Sequence, residues 1–253
     1  MASKVVVIIP ARWGSTRFPG KALHPIAGKP LVQHVWERCV RARGIDEVII
    51  ATDEMRIAEA AFEFGAEVAL TSPKHQSGTD RIAEVAKRLR GVSHVINVQG
   101  DEPVIEPTLI SRLARTMVED PKLQMITAAN KFAADEDVNN PNAVKVVLDR
   151  TGNGLYFSRS AIPYVRGDGE RPTFYRHQGI YGYTLPFLLQ FVRWKAGALE
   201  KAEQLEQLRA LENGAKIRVV ITAKPSVGVD SPDDVAAAEL LLAGASARKN
   251  RRS

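Results

Sequence analysis

The sequence predicts an α/β protein: a mostly parallel sheet flanked by helices, with a smaller excursion in its second half. Three observations carry this. Apolar runs of strand length, "KVVVII", "EVIIAT" and "HVINVQ", recur through the first half. Stretches with apolar residues at helical spacing separate them. Cap and turn signals sit at the junctions, and strand–helix alternation of this kind implies parallel strands with helices packed on both faces.

The elements follow in order. "KVVVII" reads as a buried strand. "PLVQHVWERCVRARG" reads as a helix that opens with Pro30 and closes at Gly44, with Leu31, Val35 and Cys39 on one face. "EVIIAT" is a strand, followed by a helix from about Glu54 to Phe64 and the short strand "EVAL". "SGTDRIAEVAKRLRG" is a helix with Ser77 as N-cap and Asp80 three residues on, a capping-box pattern. "HVINVQ" is another buried strand, and "PTLISRLARTMVED" a helix starting at Pro107. Beyond it, "AVKVVLDRTGNGLYFSR" reads as two strands joined by a turn around Gly152-Asn153-Gly154. A long polar loop, "AIPYVRGDGERPTFYR", leads to a strand at "HQGIYGYT". Helices are expected from about Pro186 to Trp194 and from Ala202 to Asn213, and "KIRVVIT" and "SPDDVAAAELLLAG" restore a strand and a helix to the main sheet. The expected organisation is one domain over 1–243, an excursion over about 130–200, and a basic flexible tail at 244–253. Phe187, Leu188, Phe191 and Trp194 in "FLLQFVRW" form an apolar helical face, a candidate dimer contact.

Composition removes several function classes. The chain of 253 residues is 45% hydrophobic and 25% charged, the balance of a globular protein. Its net charge of +6 owes most to Arg248, Lys249, Arg251 and Arg252 in the tail, so the body is nearly balanced and no nucleic-acid partner is expected. Cys39 is the only cysteine, which excludes an intrachain disulfide and a thiolate-rich zinc site. No apolar run approaches the ~18 residues of a membrane span, and the N-terminus has no signal-peptide core. A cytoplasmic protein without a membrane partner is expected.

The loop "PARWGSTRFPGKAL" follows the first strand. Its spacing is one residue too long for a P-loop and lacks the hydroxyl after Lys21, and no Gly-x-Gly-x-x-Gly fingerprint is present. Arg12, Arg17 and Lys21 are interleaved with Gly14, Ser15, Thr16 and Gly20, so backbone amides and fixed cations together suit a polyphosphate. Ser77-Gly78-Thr79 opens a helix at the same rim, a second place for an anion or a nucleotide. Two aspartates are not needed as caps. Asp101 precedes the helix at Pro107 by six residues. In "GVDSPDDV" Ser231 is the natural N-cap, Pro232 suits the first helical position and Asp234 completes the box, which leaves Asp230 spare. Two spare carboxylates beside a phosphate-type loop suggest oxygen ligands for Mg²⁺. His24, His34 and His94 have no partner spacing and read as structural.

The blocks "VVIIPARWGSTRFPGKAL", "HQSGTDRIAEV", "VINVQGDEP", "NPNAVKVVLD", "LYFSRSAIPY", "HQGIYGY", "LEQLRALENG" and "GVDSPDDV" resemble the 3-deoxy-manno-octulosonate (Kdo) cytidylyltransferases, in the same order over about residues 4–243. The resemblance implies a Rossmann-like nucleotidyltransferase fold and a cytoplasmic, Mg²⁺-dependent homodimer. The implied reaction converts CTP and Kdo to CMP-Kdo and pyrophosphate for lipopolysaccharide synthesis. By resemblance, Arg12, Lys21, Asp101 and Asp230 are catalytic, and the two aspartates hold the metal. Pro10, Ala11, Arg12, Arg17, Lys21, His75, Ser77, Gly78, Thr79 and Gln99 would meet the nucleotide. The excursion would serve sugar binding and dimerisation, with Arg159, His177, Gln178, Tyr183 and Glu206 at the sugar acid and Arg159 suited to its carboxylate. Gln178 stands where the family usually has Leu or Ile. Two alternatives stay open: a cytidylyltransferase or nucleotidyltransferase for sialic acid or a sugar 1-phosphate, and a catalytically silent nucleotide-binding protein.

Overall fold

The computed structural model describes residues 3–14, 18–167 and 172–250, with side chains as far as residue 243. The chain forms two compact units, Met1–Ala114 with Ser226–Ser253, and Arg115–Pro225.

The first unit runs β1 (Lys4–Ala11), the short β2 (Pro25–Ile26) and β3 (Lys29–Pro30), α1 (Leu31–Val40), β4 (Glu47–Thr52) and α2 (Met55–Glu63). It continues through β5 (Glu67–Leu70), α3 (Gly78–Arg88), β6 (Val92–Asn97) and α4 (Pro107–Glu119), which carries the chain onward. Its sheet has the order β6-β1-β4-β5 and is parallel throughout. Val5 to Ile9 of β1 are all buried, as expected of a strand covered on both faces. Burial of each such side chain contributes about 1.5–3 kcal/mol. α3 packs on β1, β4 and β6, α1 on β1 and β4, and α2 on β4 and β5. Cys39 is buried on the α1 face with Leu31 and Val35, and burial raises its thiol pKa, so it is filler. The capping box of α3 is formed: Ser77 Oγ accepts from Asp80 N at 3.1 Å, and Asp80 Oδ2 accepts from Ser77 N at 3.3 Å.

The second unit runs β7 (Met125–Lys131), β8 (Lys145–Leu148), β9 (Gly154–Ser158), β10 (Tyr175–Thr184), α5 (Leu185–Phe191), α6 (Ala198–Glu203), α7 (Leu208–Glu212) and β11 (Ile217–Thr222). β11 pairs parallel with β7, β7 antiparallel with β10, and β10 antiparallel with β8, which pairs with β9. The chain then returns to the first unit and forms α8 (Asp234–Asn250), which continues through the first part of the basic C-terminal stretch.

Three expectations are corrected. β7 is a buried strand to which sequence reading assigns no element, because "MITAANK" mixes weak strand formers with its apolar residues and is held by strands on both sides. The single helix expected over Ala202–Asn213 is two. Gln204 turns into the left-handed region at φ 53, and the Arg159 guanidinium takes the carbonyls of Glu203 (2.7 Å) and Gln204 (3.4 Å) that an unbroken helix would use. α8 begins at Asp234 rather than Pro232. The Ser231 hydroxyl donates to the Asp234 carboxylate (2.9 Å) instead of accepting an amide proton. Three of the four residues of the apolar α5 face are core of their own unit: Phe187, Leu188 and Phe191 are buried, and the two phenylalanines make ring contacts with Tyr183 and with the half-buried Trp194.

Candidate active site

In a parallel sheet, ligands meet the chain beyond the carboxyl ends of the strands. After β1 the chain turns away at Arg12, which is exposed, and closes again where Gly20 N donates to the Trp13 carbonyl at 3.1 Å. Gly20 has φ 70, and a Cβ there would lie 3.1 Å from the Trp13 ring. The Arg56 guanidinium covers that ring at 3.6 Å and is itself held by Glu54 at 2.7 Å. Of the predicted loop cations, Arg17 lies outside the described residues. A 3₁₀ turn over Lys21–Leu23 then turns Lys21 inward.

Lys21 is the centre of the arrangement. Its ammonium donates to Asp101 Oδ2 at 2.5 Å, to the Val229 carbonyl at 3.2 Å and to Asp230 Oδ1 at 3.3 Å. Each oxygen has a local reason to be there. Beyond β6, Gly100 passes so close to β1 that a Cβ would lie 2.8 Å from the Pro10 carbonyl oxygen, and the turn closes with Glu102 N on the Gln99 carbonyl at 3.3 Å. Val229 N donates to the Asp101 carbonyl at 2.8 Å, and Val229 is buried with Ile26, Leu31, Ala238 and Leu242. Asp230 N and Ser231 N both donate to Asp234 Oδ2, at 2.9 and 2.8 Å, so the Asp230 side chain is not used as the cap.

The N-terminus of α3 completes this side. A cavity of about 250 Å³ is lined by Pro10, Ala11 and Arg12 of the first loop, by His75, Ser77 and Gly78 before and at the helix start, and by Gln99, Lys21, Asp101 and Asp230. Thr79 is 3% exposed and does not line it. His75 Nε2 pairs with Glu84, whose carboxylate also accepts from Ser72 N at 3.0 Å; these bonds hold the Glu84 pKa low. Ala22, Gly100 and Arg81 also line it and escape sequence reading. Gly100 looks like turn filler. Arg81 looks like an exposed helical cation but is 3% exposed, bonded to Thr71 Oγ1 and 3.2 Å from Asp53 Oδ1. Its signal is the place one turn inside a helix that opens at the rim.

The five predicted sugar residues all lie in the second unit, and the structure differentiates them. A bulge in β10 between Gln178 and Tyr181 is closed by the Thr127 hydroxyl, which donates to the Ile180 carbonyl at 2.7 Å and lies 2.9 Å from His177 Nε2. Burial pushes the His177 imidazole down to about 3, so it is neutral at ordinary pH. Gln178 Nε2 donates to Asn130 Oδ1 (3.0 Å) and to the Lys224 carbonyl (2.8 Å), while its Oε1 is buried without a hydrogen-bond partner among the described residues. Arg159 is fastened to three carbonyls, those of Glu203, Gln204 and Pro141, the last at 3.0 Å. Glu206 lies 3.9 Å from the Arg209 guanidinium. Tyr183 is 1% exposed within the aromatic stack, which makes it a support for Tyr181 rather than a contact for solute. Three residues were not foreseen. Tyr181 Oη donates to Gln207 Oε1 at 3.1 Å, Gln207 Nε2 is buried without a hydrogen-bond partner among the described residues, and Lys145 is fully buried with its ammonium on the carbonyls of Asn140 and Arg159. Burial lowers the Lys145 pKa.

A family model described as "Cytidylyltransferase" matches residues 6–217. The chain is 51% identical over 241 residues to a 3-deoxy-manno-octulosonate cytidylyltransferase of Geobacter sulfurreducens, covering 91% of this chain and 96% of the relative. It is 46% identical to the protein of the same name from Syntrophus aciditrophicus, covering 95% and 98%. This chain belongs to the 3-deoxy-manno-octulosonate cytidylyltransferase family. A solved CMP:2-keto-3-deoxy-manno-octonic acid synthetase complexed with CTP superposes with a TM-score of 0.91 at 41% identity, covering 96% of this chain and 99% of that one. The expected fold, an α/β nucleotidyltransferase with a mostly parallel sheet flanked by helices, is thereby established.

The cytidylyltransferase reading raises the question of a metal. Asp101 and Asp230 present carboxylate oxygens around one cation, with the Val229 carbonyl beside them. Mg²⁺ takes hard oxygen donors and usually one or two carboxylates, with phosphate and water supplying the rest. Among the described residues no group of three or more His, Cys, Asp or Glu side chains gathers. The residues fit Mg²⁺.

Proposed function

We propose that this chain transfers the cytidylyl group of CTP to Kdo, giving CMP-Kdo and pyrophosphate, and so activates Kdo for lipopolysaccharide synthesis. The convergence of Lys21, Asp101 and Asp230 in the lining of a cavity that the α3 N-terminus also lines carries this reading. It stands beside the 51% identity to a cytidylyltransferase for this sugar acid. In the proposed reaction the anomeric hydroxyl oxygen of Kdo attacks the α-phosphorus in line, the bond to the pyrophosphate oxygen breaks, and the hydroxyl proton passes to solvent water. Such chemistry depends on positioning and charge. Arg12, Lys21 and the amides opening α3 bind the phosphates and offset the charge that gathers on pyrophosphate. Mg²⁺, held by Asp101 and Asp230, would neutralise phosphate charge when bound. Pro10, Ala11, His75 and Gln99 form the walls for the nucleoside, and Arg17 is proposed for the phosphates. The sugar acid is assigned to the second unit, with Arg159, His177, Gln178 and Glu206 as its proposed contacts and Tyr183 as packing.

Pyrophosphate release with CTP, UTP, ATP and GTP against Kdo, sialic acid and sugar 1-phosphates tests this. CTP with Kdo is expected to exceed ATP or GTP at least about tenfold, and EDTA to stop turnover. Equal rates with all nucleotides, or full activity in EDTA, contradict the reading. A best rate with sialic acid would move the chain to the runner-up reading. Arg159→Ala is expected to raise KM for Kdo much more than KM for CTP, because Arg159 fixes the carbonyls of residues 203 and 204 next to Glu206 and keeps N–H donors for a carboxylate. Equal effects on both substrates remove it from the sugar side.

We further propose a cytoplasmic homodimer with no nucleic-acid or membrane partner. Among the described residues no helix is long and apolar enough to cross a membrane. Light scattering at micromolar concentration reads the oligomeric state, and a monomer contradicts the proposal.

A further inference from the structure

We propose that Lys21 is a resident counter-ion for the metal site: it neutralises Asp101 and Asp230 until nucleotide phosphate draws it away, so that metal enters together with CTP and not before it. The inference rests on the metal reading above and goes beyond it by assigning the order of binding to one side chain.

The geometry points to this role. The Lys21 ammonium has three N–H donors, and three oxygens receive them: Asp101 Oδ2, the Val229 carbonyl and Asp230 Oδ1, at 2.5, 3.2 and 3.3 Å. Those are the same oxygens that suit a hard divalent cation. The lysine side chain is 17% exposed and that of Asp101 26%, so this partly buried pair is screened less than a surface pair. A divalent ion approaching these oxygens must therefore displace a positive charge that sits between them. With no new anion on offer, the displaced ammonium gives up its carboxylate and gains only water. CTP changes that balance. Its phosphates supply an anion for Lys21 within reach of the same cavity and further oxygens for the metal. The four-carbon lysine stem allows such a change of partner, as a guanidinium fixed in a planar fork would not.

The test uses Mn²⁺ alone as probe, measured by equilibrium dialysis against the full chain without nucleotide. Wild type is expected to bind weakly. Lys21→Met is expected to bind Mn²⁺ at least roughly tenfold more tightly, from removal of one competing charge a few ångströms away. Adding Asp101→Asn to Lys21→Met is expected to abolish the gain, which places the ion at these carboxylates. Lys21→Gln is the second variant should the methionine protein melt abnormally. Tight Mn²⁺ binding by wild type without CTP, or no gain in both Lys21 variants, overturns the proposal. The metal reading is judged separately, by Mn²⁺ retained with CTP present: retention by wild type and its loss in Asp101→Asn keeps that reading even if the counter-ion role fails.

Discussion

Asp101→Asn and Asp230→Asn are each expected to stay folded and to lose at least about 10²-fold in kcat/KM, the usual result of deleting a key electrostatic group. Asparagine keeps the side-chain size and one acceptor oxygen but not the charge. The bonds that shape the two turns come from the main chain: Val229 N reaches the Asp101 carbonyl, and Asp230 N reaches Asp234. Neither carboxylate is a cap, so melting temperatures should move little. The larger loss is expected at Asp101, which is closer to Lys21 (2.5 against 3.3 Å) and less exposed (26% against 53%). Because both side chains face one cation, the double variant should be less than additive. Pyrophosphate release across a Mg²⁺ titration, with thermal melts alongside, checks this. Wild-type turnover in either variant removes that aspartate from the catalytic set.

Gly100→Ala is expected to harm both stability and activity. The added methyl would lie 2.8 Å from the Pro10 carbonyl oxygen, a main-chain atom at the end of the central strand that cannot swing aside. The turn must shift instead, at a cost of about 1–3 kcal/mol. That turn carries Asp101, so its carboxylate moves with it. Displacements of about an ångström at a reacting centre cost on the order of 10²-fold. Gly14→Ala is the control, because among the described residues a Cβ at Gly14 meets nothing within 4 Å. Its melting temperature should match wild type. A Gly100→Ala protein with unchanged melting and kinetics would show that the turn is looser than its contacts imply.

How far the site was legible depends on the distance over which each interaction is decided. The Ser77 capping box was readable because both of its bonds join residues three apart. The spare status of Asp101 and Asp230 was readable as well, since the caps that would have used them lie within a few positions. Arg159 shows the limit. Its residue type suits a carboxylate, yet its guanidinium spends three donors on carbonyls some 18 to 45 positions away. Nothing local signals those partners. Tyr183 is similar: its place in "HQGIYGY" suggested a ligand contact, and the stacking of α5 on β10 makes it packing.

By itself the sequence determined the alternation of strands and helices in the first unit, the loop of cations after β1, and the chemical identity of the donors. Periodicity, capping and side-chain type are local properties of the chain. Tertiary structure alone decided that Lys21 meets Asp101, 80 positions away, and Asp230, 209 positions away. It also decided that β7 is a strand, that residues 202–213 break into two helices, and that Phe187, Leu188 and Phe191 of α5 are core. Each of these depends on which strand pairs with which and on the hydrogen bonds and burial that the pairing then imposes, and that partner choice is a property of the assembled sheet rather than of any one segment.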